Sequence, residues 1–307
     1  MLAVNPTEGY ACLVTVTLTN ENIRMEIEKP GTGYLSPRFD QTMKITRLFF
    51  RNIRMSSSEY PDGGDLKTAG RGFFSEFSID KPPGFSETPL GGWFHKIGVG
   101  TVKKEFSEYS PFRNAETQFY PFTWQHDGQS IRSSYESSVL NGYAHRLEKR
   151  LSLHGDGFEI LTSLSNTGEK ELTTSEYNHN FAACNGRSVG PGYRLEFDFP
   201  LNTGQFIEYV DPDGIVRFGE NVVTFDPGNT VPFFFTNLCP SEGMPAGWTL
   251  RCSKEKISIR EEGDFTVSKV NLWGWKHVIS PELFFQIELK PGESRDWRRR
   301  YVFSAGD

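Results

Sequence analysis

Short strand-forming runs recur along this chain roughly every 8–15 residues, with Gly, Pro, Asn and Asp clustered between them. That rhythm limits the fold more than any other feature. Residues 147–153 alternate with period two. Residues 158–164 do the same after His154-Gly155-Asp156-Gly157, a hairpin turn signal. Further runs fall at 13–19, 43–50, 195–199, 215–218, 222–225, 256–260, 265–270, 283–289 and 299–303. No amphipathic helix longer than about ten residues is visible. The spacing predicts an all-β sandwich or barrel rather than strand–helix–strand units. No fixed-period repeat points to a propeller or solenoid. Residues 56–72 and 237–247 are irregular, but strand patterning resumes on both sides of each. The reading is therefore a single domain over 1–307.

Composition agrees with that reading and excludes several function classes. The chain holds 26 Phe, enough for a sizeable core, and its net charge is -6. An acidic chain lacks the basic footprint of a phosphate-backbone binder, so no nucleic-acid partner is expected. No apolar run approaches the roughly 18 residues of a membrane span, so no membrane partner is expected either. The first twenty residues lack the basic and apolar regions of a secretory signal. The four cysteines, Cys12, Cys184, Cys239 and Cys252, form no CxxC pair, which argues against a zinc or thioredoxin-like site. Reduced thiols in the cytoplasm are the expectation, with the chain acting as a monomer or homodimer.

The densest polar cluster is Thr174-Ser175-Glu176-Tyr177-Asn178-His179-Asn180-Phe181. In a strand, Glu176, Asn178 and Asn180 share one face, and Tyr177, His179 and Phe181 the other. His179, between two aromatics, suits a general acid or base near neutral pH. It can equally be a buried histidine satisfied by a neighbouring amide. In residues 272–285, Glu282 follows a proline and precedes an apolar run, where an aromatic setting can raise a carboxyl's pKa. Trp273 and Trp275 offer flat faces for a pyranose ring, and a core or edge-strand role for all three is the alternative. Gly70-Arg71-Gly72 suits a close backbone approach, with Arg71 placed to bind a sugar hydroxyl or carboxylate and Glu76 to orient it. His95 and Lys96 lie beside Trp93 and Phe94 and can line a pocket or end a solvated strand. Gln125-His126-Asp127-Gly128 reads as a turn. The arginines within 295–300 read as a solvated strand face.

In their order along the chain, these segments resemble the aldose 1-epimerase (galactose mutarotase-like) superfamily. The alternating pair 146–153 and 158–164 ends in Ser165-Asn166-Thr167-Gly168. Asn178-His179-Asn180-Phe181 is similar to the family's strand bearing Asn-His and an aromatic. Glu282 is a lone late glutamate. Leu289-Lys290-Pro291-Gly292-Glu293-Ser294 before Tyr301-Val302-Phe303 is similar to the closing turn and last strand. The resemblance covers about residues 38–303. It implies a β-supersandwich of two large antiparallel sheets, with a small-molecule carbohydrate in an open cleft. It further implies His179 as general acid toward the ring oxygen and Glu282 as the base that takes the anomeric proton, on facing strands at opposite sides of the hemiacetal. Arg71, Glu76, His95, Lys96, Glu176, Asn178, Trp248, Trp273 and His277 make up the expected binding set. His95 stands in for the family's additional early histidine. The chemistry is proton transfer, so no metal and no cofactor are expected. Two other functions fit the same residues. One is a non-catalytic carbohydrate-binding protein. The other is an epimerase, isomerase or lyase for a phosphorylated, acidic or non-sugar cyclic substrate, held by Arg71, Lys96 or Lys276.

Overall fold

The computed structural model describes residues 14–60, 68–204 and 206–306. Cys12 and the Pro61-Asp62-Gly63-Gly64 run lie outside them. Every named element among the described residues is a strand, and two ten-stranded antiparallel sheets dominate. The first runs through Thr15–Thr19, Ile23–Glu28, Lys44–Phe50, Phe73–Phe77, Leu172–Asn180, Val278–Leu289, Lys269–Trp275, Phe233–Phe235 and Tyr209–Val210, with Ile53–Arg54 hooked onto Lys44–Phe50. The second runs through Val216–Phe218, Val222–Phe225, Tyr193–Phe197, Met244–Cys252, Ile257–Val267, Ser294–Ala305, Gly157–Asn166, His145–His154, Ser130–Glu136 and Thr123–His126. A small three-stranded sheet of Trp93–Lys96, Gly100–Lys103 and Thr117–Phe119 stands apart.

The period-two runs became strands because each buries one face. Leu147, Leu151 and Leu153 point inward from His145–His154, and Phe158, Ile160 and Leu164 from its hairpin partner. One continuous apolar core joins the two sheets, with Phe50 stacked on Phe303 and Phe73 packed against Tyr301. The His154-Gly157 turn connects its hairpin as expected, and Asp127 caps its own turn by accepting from the Ser130 backbone N–H at 2.7 Å.

Two expectations are corrected. The irregular 237–247 stretch contains the start of the Met244–Cys252 strand, which a register shift between Pro245 and Gly247 hides from the alternation pattern. The arginine run is not uniformly solvated. Alternation along Ser294–Ala305 turns Trp297, Arg299 and Tyr301 inward, while Arg298 and Arg300 face water.

Arg299 is 2% exposed and binds two buried carboxylates, Glu176 Oε2 at 2.6 Å and Glu261 Oε1 at 2.6 Å. Lys149, also buried, pairs with Asp40 at 2.6 Å and donates to Ser75 at 2.8 Å. The space between the sheets therefore contains a polar layer within its apolar core. Removing one partner of such a layer leaves the others as uncompensated buried charges. Arg299→Ala should lower unfolding free energy by about 3–5 kcal/mol. Adding Glu176→Gln and Glu261→Gln should restore part of it. Urea melts decide the matter, and a loss below about 1 kcal/mol, the range of an exposed pair, would contradict this account.

Candidate active site

Leu172–Asn180 and Val278–Leu289 are neighbours in the middle of the first sheet, flanked by Phe73–Phe77 and Lys269–Trp275. Alternation sets which side chains meet. One face of the sheet points at the second sheet. The other carries Tyr177 and His179, with Glu282, Phe284, Phe74, Glu76, Asn271 and Trp273 from the adjoining strands.

His179 and Glu282 are in direct contact. His179 Nδ1 lies 3.2 Å from Glu282 Oε1 and 3.0 Å from Ser280 Oγ. Its ring stacks on Phe181 at 4.6 Å and meets the edge of Phe39 at 6.0 Å. Phe181 can lie there because Gly70 has no side chain: a Cβ on Gly70 would come within 2.2 Å of the Phe181 ring. Gly72, at φ +61°, packs so tightly on the Ile45 carbonyl that a Cβ would sit 1.8 Å from its oxygen. The close approach read from Gly70-Arg71-Gly72 is thus present, and it supports the aromatic wall behind His179.

Beneath the pair is a charge cluster centred on Glu76. Arg38 Nε donates to Glu76 Oε2 at 2.8 Å, the Tyr177 hydroxyl donates to the same oxygen at 2.7 Å, and Lys96 Nζ lies 3.4 Å from Oε1. The Arg38 guanidinium is sandwiched between the rings of Phe39 at 4.5 Å and Phe112 at 4.7 Å.

Burial dominates the electrostatics of this site. It pushes the Glu282 carboxyl up to about 8, with Arg38 pulling the other way and the Glu76 charge adding to the rise. Burial also holds His179 well below the usual imidazole range, and the nearby Arg38 charge adds to this. Both groups therefore favour their neutral forms near neutral pH, with one proton available to the Nδ1–Oε1 contact.

The expected binding set is divided by this geometry. Glu76 is fully buried, paired with Arg38 and Lys96 beside Tyr177. Trp273 is half-buried, with the Phe181 ring edge-on to it at 5.8 Å. Arg71 is partly exposed, bound to Glu28 at 3.3 Å and lying over the Tyr34 ring at 4.5 Å. His277, in the turn before Val278–Leu289, contacts the Ser58 carbonyl through Nε2 at 2.8 Å. Lys96 is fully buried, its ammonium donating to the Phe77 carbonyl at 2.5 Å, so it is no free cation for a phosphate. Lys276 is exposed on the turn, its ammonium 5.5 Å from the Trp275 ring.

Four residues are placed elsewhere. Glu176 and Asn178 point between the sheets, to Arg299 and to Ser75 and Tyr301, because they alternate with His179. Trp248 is a fully buried residue of the second sheet, its indole donating to Glu261 at 2.7 Å. His95 is buried, bonded to the Tyr120 hydroxyl at 2.6 Å and the Tyr143 carbonyl at 3.0 Å. The expectation of facing strands is also corrected. The imidazole and carboxylate share one sheet face, too close for a sugar ring to pass between them.

The sequence reading missed Arg38, Asn271, Lys269 and Phe284. Asn271 pairs in register with Glu282, favours its carboxylate form, and keeps a buried Oδ1 without a partner. Lys269 lies over the Phe284 ring at 4.3 Å. No periodicity marks Arg38, since it precedes its strand and its partner Glu76 is distant in sequence.

No protein-family model matches the sequence, and no curated protein matches it. Solved structures do. A provisionally assigned aldose 1-epimerase from Escherichia coli K12 superposes with a TM-score of 0.59 at 13% identity, covering 95% of this chain and 99% of that one. A galactose mutarotase-like protein from Clostridium acetobutylicum gives 0.57 at 12%, covering 95% of each. An aldose epimerase homologue from C. elegans gives 0.53 at 12%, covering 95% of this chain and 99% of that one. The chain therefore has the all-β galactose mutarotase-like fold, as the order of its motifs implied.

The raised Glu282 carboxyl has a stability consequence. Its ordinary value is 4.5 and its folded value is about 8. Its contribution is thus fully present below about pH 4.5 and is lost as pH rises toward 8, because the unfolded chain ionises first. Glu282→Gln, neutral and of the same shape, should be more stable than the parent by a few kcal/mol at about pH 9, and the gain should shrink toward about pH 5. Urea melts at the two pH values test this. An equal effect at both would show that the carboxyl is not held protonated.

Proposed function

We propose that this pocket opens and recloses the ring of a cyclic hemiacetal sugar, interconverting its α and β anomers, with His179 as general acid and Glu282 as general base. The carrying observation is the 3.2 Å contact between a buried imidazole and a buried carboxyl on one sheet face, where burial raises the proton affinity of Glu282 and lowers that of His179. A single proton shared by the two serves both roles. At rest that proton is on Glu282, and its transfer to His179 across the contact gives the imidazolium and carboxylate that form the acid–base pair. His179 engages Glu282 and Ser280 through Nδ1, which leaves Nε2 to face the sugar.

In the proposed step, the Nε2 proton passes to the ring oxygen while Glu282 takes the proton of the anomeric hydroxyl. The bond between anomeric carbon and ring oxygen breaks, giving an aldehyde and a new hydroxyl. Rotation about the adjacent carbon–carbon bond exposes the other carbonyl face, and reversal of both transfers closes the opposite anomer. Atoms and charge balance through two proton transfers, so the step needs neither a metal nor a redox cofactor. The sugar would lie over the pair, against Trp273, with Arg71 and His277 within the same face. Asn271 favours the carboxylate, and Arg38 biases the pair by its charge.

NMR exchange or polarimetry on free aldoses, sugar phosphates and uronic acids tests the reading. At least one substrate should equilibrate faster than buffer, and His179→Ala and Glu282→Gln should each lower kcat/KM by about 10²–10⁴-fold. The rate should fall above about pH 8, where the pair loses its shared proton. Saturable sugar binding with no acceleration would instead establish a carbohydrate-binding protein.

A further inference from the structure

Outside this pocket, two cysteines from different sheets meet. Cys184 lies just beyond the Leu172–Asn180 strand, and Cys252 ends the Met244–Cys252 strand of the second sheet. Both are free thiols, 0% and 2% exposed. The two thiols are close enough for each to act on the other's charge. Tyr193 marks the same point: it is Cys252's register partner, and its hydroxyl accepts from the Cys184 backbone N–H at 3.2 Å. Cys184 Sγ also donates to Glu255 Oε2 at 3.5 Å. A pocket of about 720 Å³ opens here, lined by Arg187, Pro191, Tyr193, Cys252, Lys254 and Glu255 among others. Cys252 is part of that lining, whereas Cys184 and Cys239 are not.

We propose that Cys184 and Cys252 are a reversible dithiol–disulfide couple, closed by exchange with a low-molecular-weight disulfide that enters this pocket. A glutathione-like disulfide fits the chemistry, because Lys254 offers a cation to its carboxylates beside Arg187, which is paired with Glu255. Cys252, reached from the pocket, is the entry thiol. As the thiolate it attacks one sulfur of the incoming disulfide. That S–S bond breaks, one small thiol leaves, and a mixed disulfide remains on Cys252. Cys184 then gives its proton to Glu255 and attacks Cys252 Sγ, expelling the second small thiol. Two protein thiols are oxidised and one disulfide is reduced to two thiols. The contact with Cys252, together with burial, holds the Cys184 thiol far above the ordinary range, which suits a resolving rather than an attacking role. Closure needs the two sulfurs to approach to about 2.05 Å. The product staples the two sheets just past the strand that carries His179.

The experiment titrates the reduced full chain with mixtures of glutathione and glutathione disulfide, followed by alkylation and peptide mass spectrometry. Two of the four thiols should disappear together, in a peptide joining Cys184 to Cys252 that a dithiol reductant reopens. Cys184→Ser should stop at a glutathione adduct on Cys252. Cys252→Ser should give neither cross-link nor adduct at Cys184. Adducts at Cys12 or Cys239 without the cross-link would overturn the proposal. So would a folded chain that loses no thiols under conditions where the urea-unfolded chain does. Should a serine variant fail to fold in a thermal melt, the cross-link in the parent chain alone decides.

Discussion

From Glu176 to Asn180 the Leu172–Asn180 strand is buried on both faces, and each face carries polar side chains that cannot be left unpaired. An unpaired polar group costs about 1–3 kcal/mol in such a place, and a charge more. Around this strand the fold supplies two separate sets of partners. Toward the second sheet, Glu176, Asn178 and Asn180 meet Arg299, Tyr301 and Glu261. Toward the outer face, Tyr177 and His179 meet Glu76, Ser280 and Glu282. One strand thus joins a structural polar layer to the His179–Glu282 pair.

The separation of the two layers explains the character of the pocket. Arg299 neutralises Glu176 and Glu261 on the inner side, and Arg38 with Lys96 attends to Glu76 on the outer side. No guanidinium or ammonium pairs directly with Glu282 among the described residues. Its carboxyl is left with an imidazole that burial also keeps neutral. A full ion pair to Arg38 would have fixed Glu282 as a carboxylate. The Glu76 anchor, with the rings of Phe39 and Phe112, keeps that guanidinium engaged elsewhere.

Much of this was legible from the residues, and the errors have a common origin. The alternation of 147–153 and 158–164, the turn glycines and the closing Pro291-Gly292 turn predicted strands where strands are. The split of residues 174–181 into two faces was also readable, because it depends only on a period of two. Which face would become the pocket was not readable, and so Glu176 and Asn178 were placed with His179 when they belong to the inner layer. Trp248 illustrates the same limit. An indole suits a sugar-binding platform and a core alike, and its neighbours across the sheets decide between them. Arg38 and Arg299 went unrecognised as buried residues because a charged residue reads as solvent-facing until its distant partner is known.

The sequence by itself determined the all-β architecture, the strand rhythm and the order of motifs that carries the mutarotase-like resemblance. These follow from local periodicity and turn chemistry, which need no knowledge of distant partners. Only the tertiary structure decided that His179 and Glu282 touch on one sheet face, that Arg38 and Glu76 lie beneath them, and that Cys184 meets Cys252 across the sheets. Each of these depends on strand order and register, which bring residues far apart in sequence within bonding distance. It also depends on burial, which raises the Glu282 carboxyl and lowers the His179 imidazole.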